Sequence, residues 1–196
     1  MKIITILSFL IPQLMAEVDI DLAVKSSTPT LFQTISGISD NDNVIISPVP
    51  ITLLMSMIYL GAVNGSDSEI QIRDAFKFQK SSNFLKSIKN LNEDFSNYQS
   101  SNGNVTVVVK NAVFPEINLE LEWEFKKWLK EYFKSDIQQV NYKLKEKAVK
   151  QINKQVANDT NNLIPDLLSV DSLHEDTQIV LTSAIYFKSK VKSFIG

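Results

Sequence analysis

The stretch that most limits how this chain can fold is its last apolar run, residues 179–187, within TQIVLTSAIYFKSKVKSF at 177–194. Its length and its Ile, Val, Thr, Tyr and Phe content predict a strand buried on both faces. Such a strand needs a hydrogen-bonded neighbour along each edge, because unpaired backbone N–H and C=O groups are costly away from water. The chain stops at Gly196, so it supplies a neighbour for one edge only.

The rest of the sequence arranges helices around a few strands. Residues 21–36 read as a helix carrying Leu22, Leu31, Phe32 and Ile35, kinked or restarted at Pro29. Residues 44–46 read as a short strand. Ser47 then suits a helix N-cap and Pro48 a first helical turn, with Ile51, Leu54, Met55 and Ile58 on one face and Gly61 as the stop. Ser66 and Glu69 form a capping box that opens a helix running to Phe76. Phe84, Leu85, Ile88, Leu91 and Phe95 mark a further amphipathic helix, and residues 100–104 a loop. Residues 105–114 predict a long strand, 120–133 a helix with Trp123, Trp128 and Phe133 as core anchors, and 136–140 a short strand. A polar helix follows at 143–159, anchored by Leu144, Ala148, Ile152 and Val156, and residues 161–176 connect it to the last strand. This order is an α+β pattern.

The N-terminus, MKIITILSFLIPQLMAEVD, has Lys2 ahead of a short apolar core broken by Pro12, with Ala16 as the small residue before a cut. That describes a secretory signal peptide over residues 1–16, too short for a membrane span, with 17–196 as the mature portion. Removing it takes away one lysine and no acid, so a net charge of -2 becomes -3. Neither value favours nucleic acid or an anionic membrane surface. There is no cysteine, which excludes thiol nucleophiles, disulfides and Cys metal sites. Export also makes three sequons eligible for glycans, at Asn64, Asn104 and Asn158.

Little in the sequence supports catalysis. His174 is the single histidine and lies in the polar Leu173-His174-Glu175-Asp176, so it reads as a solvated loop residue. One histidine among scattered acids gives no zinc signature, no calcium loop has the required spacing, and the five glycines are not clustered for a phosphate. No cofactor is implied. Lys126, Lys127, Lys130 and Lys134 line one helix, and Lys143, Lys145, Lys147, Lys150 and Lys154 another. Interleaved Glu120, Glu122, Glu124, Glu131 and Glu146 predict a salt-bridged, solvated face for them.

Five segments, in order, resemble the serpin family, inhibitors of serine proteases. Asn43-Val44-Ile45-Ile46-Ser47-Pro48 resembles "NVFFSPxSI", and Leu60-Gly61-Ala62 with Ser66 and Glu69 resembles "LGAxGxTxxQI". Asn111-Ala112-Val113-Phe114 resembles "ANALF"; Ile152-Asn153-Lys154, Thr160 and Asp166-Leu167-Leu168 resemble "INxWVxxxTxGKIxxLL". The final strand resembles "LVLVNAIYFKGxWxxxF". The resemblance implies the N-terminal helices and part of the large central sheet of that fold, an incomplete serpin domain.

It further implies a serine-type endopeptidase inhibitor and no enzyme, with a serine protease as partner of a full-length form. Serpins inhibit when a cleaved reactive loop inserts as a strand into the central sheet. That loop belongs to the C-terminal half of the family, so no reactive-centre residue is expected here, and the chain as written is expected not to inhibit. The family's sheet-opening control cluster maps to Ser47, Pro50 and Ser183, where Pro50 replaces a usual Ser and Ser183 a usual Asn. Val191 and Gln155 replace two usual Trp residues. These departures keep a second class open, a non-inhibitory secreted binding or carrier protein. Some serpins bind glycosaminoglycans through a basic helix, which makes such a polymer a secondary candidate partner.

Overall fold

The computed structural model describes residues 20–38, 43–101 and 105–189. Residues 1–16, where a signal peptide is expected, and Asn104 and Val191 lie outside them. Two compact units divide after Asn90.

The first unit is helical. Helix α1 (Ile20–Ile38), α2 (Pro48–Gly61), α3 (Asp67–Phe76) and the start of α4 (Ser82–Ser101) build it. Helix α1 is continuous through Pro29; just before it, Ser27 and Thr28 hydroxyls bond back to the carbonyls of Ala23 and Val24. The core is aromatic: Tyr59, Phe76, Phe78 and Phe84 are buried, with ring centroids 5.2–5.3 Å apart from Phe78 to each of the others. The Tyr59 hydroxyl accepts the Lys80 amide at 3.1 Å, fixing the turn into α4.

The expected face of α2 is wrong. Leu53, Met57 and Leu60 are buried with Thr52, Ser56 and Tyr59, while Ile58 is exposed. The helix is apolar all round, so periodicity alone could not choose its inner face. Residues 44–46 form no strand either; they run without regular structure and Ile45 is 95% exposed. An extended segment becomes a strand only when another strand pairs with it.

The second unit is built on a three-stranded sheet in the order β2-β1-β3. Strand β1 (Val105–Pro115) leads to α5 (Trp123–Glu131), β2 (Asp136–Ile137), α6 (Lys145–Asp159), a single 3-10 turn and β3 (Ile179–Ser189). Strands β1 and β2 are parallel; β1 and β3 are antiparallel in continuous register from Val105↔Ser189 to Pro115↔Ile179. On one face Ala112 and Phe114 pack with Tyr142, Ala148, Ile152 and Val156. Asn111 bonds to Phe133 on the other face. Strand β1 is thus buried on both faces at residues 111–114.

Three further expectations differ. Trp123 is 73% exposed at the start of α5 rather than in the core. Leu144 is an exposed N-cap residue, and Leu173 joins the core instead. Strand β3 is mostly half-buried, with Thr182 buried and Phe187 66% exposed, because nothing in the described residues covers its far side.

Candidate functional site

The feature that can act on another molecule is the free edge of β3. The strand pairs along one side with β1, and along the other its N–H and C=O groups meet no strand among the described residues. Eleven residues of regular backbone are therefore ready to accept a strand.

A row of polar side chains crosses the sheet at this edge. Asn111 on β1 stands opposite Ser183 on β3, and Ser135 immediately precedes the pairing of β2 with β1 at Ala112↔Asp136. Asn111 Nδ2 donates to the Phe133 carbonyl at 2.9 Å. Asn111 Oδ1, Ser183 Oγ and Ser135 Oγ are buried and make no hydrogen bond among the described residues. Each such orphan costs about 1–3 kcal/mol. Of the three, Ser183 is the one on the strand with the open edge. Ser183 is among the residues expected from the sequence, whereas Asn111 stands there only within a motif; its signal is a polar residue inside an otherwise apolar strand.

The other two expected members of the cluster lie in the helical unit. Ser47 is the half-buried N-cap of α2 and makes no side-chain capping bond; Pro48 occupies the first turn. Pro50 is buried two residues further on and offers neither hydroxyl nor N–H.

Behind the sheet, α6 is held by side chains matched to its environment. Asn153 clips the return segment, donating from Nδ2 to the Leu168 carbonyl at 2.8 Å and accepting the Leu168 amide at Oδ1, 2.9 Å. Tyr142 donates its hydroxyl to the Phe114 carbonyl at 2.6 Å, and burial pushes its pKa up to about 12. Gln155 accepts from Gln138 at 2.8 Å and donates to both carboxylate oxygens of Asp159. Burial raises the Asp159 pKa, while the Gln155 bonds and Lys110 act against the rise.

Of the sequons, Asn64 and Asn158 are exposed. Ser66 caps α3 by accepting the Glu69 amide at 3.2 Å, and Glu69 reaches back to the Gly65 amide rather than that of Ser66. His174 is exposed in a turn closed by Thr177, as expected of a loop residue. The salt-bridged lysine face does not form. Among the described residues the ion pairs join Arg73 to Glu69 and Asp74, and the α5 and α6 lysines have none. Here the glutamates interleave in sequence without meeting the lysines in space.

Comparison with known proteins agrees with this architecture. Residues 23–194 match a family profile described as "Serpin (serine protease inhibitor)". Neuroserpin of Mus musculus is 29% identical over 174 residues, covering 88% of this chain and 42% of that protein. Leukocyte elastase inhibitor A of Mus musculus is 31% identical over 159 residues, covering 81% of this chain and 41% of that protein. A solved structure of native protease nexin-1 with heparin superposes with a TM-score of 0.76 at 27% identity, over 86% of this chain and 44% of that one. The chain thus spans about two fifths of the length of the curated relatives it matches.

Proposed function

This chain belongs to the serpin family, and from that premise we propose that residues 17–196 are the scaffold half of a secreted serine-type endopeptidase inhibitor. The observation that carries the reading is the open edge of β3, an 11-residue strand paired on one side and bordered by the unpartnered Ser183 hydroxyl. Inhibition by strand addition needs such a template. The bait segment, on the family pattern, belongs to the half these residues do not include. Residues 17–196 by themselves hold the sheet and do not inhibit; a full-length form traps a serine protease. No catalytic residue is assigned. Export follows from the leader read over residues 1–16.

The test combines the intact deglycosylated mass of the secreted protein with protease assays. A mass near twice 22.1 kDa together with a detergent-stable complex with a trypsin-like, chymotrypsin-like or elastase-like enzyme is the expected result. A full-length protein that slows none of the three sinks the inhibitory reading.

A second reading, a non-inhibitory binding or carrier protein on the same scaffold, is favoured by Pro50 and Ser183. Proline removes a hydroxyl from the expected control cluster, and serine brings fewer donors than asparagine. As a secondary partner we propose a sulfated glycosaminoglycan on the solvent face of α6, where Lys147, Lys150 and Lys154 are exposed and carry no ion pair among the described residues.

A further inference from the structure

A cleft of about 610 Å³ opens beside the sheet where β1 passes into α5. That volume lies in the ~300–1,000 Å³ range of small-molecule sites. Its apolar lining is mainly aliphatic: Pro115 is buried, Leu119, Leu121 and Ile137 are half-buried, and the exposed Trp123 indole joins them at the rim. The exposed lining is cationic, with Lys126, Lys127 and Lys130 projecting from α5 against the single acid Glu120. None of these lysines is neutralised by an ion pair among the described residues. Lys127 is drawn over the Trp123 ring, its Nζ 5.5 Å from the centroid, so one cation is held beside the exposed indole.

We propose that this cleft binds an amphipathic anion of the fatty-acid type. The alkyl chain lies on Leu119, Leu121 and Ile137, and the carboxylate sits among Lys126, Lys127 and Lys130. The charge balance, three lysines to one glutamate, selects an anion; the aliphatic lining selects a hydrocarbon chain over a fully hydrated ion. This goes beyond protease inhibition and involves neither the β3 edge nor the α6 lysines.

The test is calorimetric titration of the intact secreted protein at low salt with decanoate, below micelle formation, with decanol and decyltrimethylammonium for comparison. Decanoate is expected to saturate one site and to bind about tenfold more tightly than decanol, with the advantage shrinking as salt screens the lysines. The variant carrying Lys126→Gln, Lys127→Gln and Lys130→Gln, with unchanged circular dichroism, should bind decanoate no better than decanol. Equal binding of decanoate and decanol by the parent, or an unchanged decanoate affinity in the triple variant, overturns the proposal. So does binding of a heparin oligosaccharide to these lysines without any binding of decanoate. If the triple variant does not fold, the part of the tryptophan fluorescence that is lost on Trp123→Phe reports Trp123 itself. Saturable quenching of Trp123 by 10-bromodecanoate, reversed by excess decanoate, then supports the site, and its absence overturns it.

Discussion

Asn153 and Asp159 sit on the same helix and show opposite outcomes of burying a polar group. Asn153 is satisfied at both ends of its amide by Leu168. Asn153→Ala removes both bonds and strands a backbone N–H and C=O, so a loss of about 2 kcal/mol is expected, read as a lower denaturation midpoint at constant slope. Asn153→Asp keeps the acceptor and loses the donor, and should fall between. Asp159 is half-buried, and its carboxyl titrates above the ordinary 3.8 because burial disfavours the charged form. A carboxyl raised in the folded state binds its proton more tightly there than in the unfolded chain. Its favourable contribution is complete below the ordinary carboxylate range and is lost as pH rises through the folded value. Asp159→Asn keeps an acceptor for Gln155 and removes the charge. Its Tm should match that of the parent below pH 3.8 and exceed it by a few degrees near neutrality. A constant difference at all pH values would show that the group does not titrate differently on folding.

Each element took its shape either from local chemistry or from a partner, and this decided how well the sequence could be read. Helix α3 is local: Ser66, three residues before Glu69, announces it, and the side-chain bond is present. Ser66→Ala should cost about 1 kcal/mol, while Asn64→Gln, which destroys the same sequon, should leave stability of the unglycosylated protein unchanged; thermal melts of the two separate cap from glycan. The long strands and α6 were also legible, because β-branched runs and a 3.6-residue period leave little choice. Elements that depend on a partner were not. Residues 44–46 have strand composition and no pairing strand. Helix α2 is apolar on every side, so its inner face is set by what packs on it. Trp123 reads as a core anchor by type but begins α5 facing solvent. The lysine rows read as salt-bridged because charge alternation along a sequence does not fix distance in space. For α6 this has a consequence: replacing Lys147, Lys150 and Lys154 by Ser should shift heparin-column elution to clearly lower salt without changing the melt. An unchanged elution position would remove this helix as the glycosaminoglycan contact.

At the scale of the whole molecule, the sheet is an unfinished template. The strand order places β3 at an edge, although its composition is that of an interior strand. The apolar run predicts a strand that takes a neighbour on each edge, but the polar row of Asn111, Ser135 and Ser183 is not legible in sequence, because a row across strands exists only once register is set. In the full-length form proposed above, the open edge would be where a further strand docks. A chain ending at Gly196 leaves it exposed to other copies, with Phe187 66% exposed at its far end. Long apolar edges of this kind pair between molecules. Purified residues 17–196 should therefore sediment as concentration-dependent oligomers and melt without a sharp transition. Phe187→Lys, which puts a charge on the exposed stretch of β3, should slow this association severalfold while leaving the helix content unchanged. A sharp two-state melt from a monomer at all concentrations would mean that β3 is protected within its own chain, and the template reading of its edge would then fail with it.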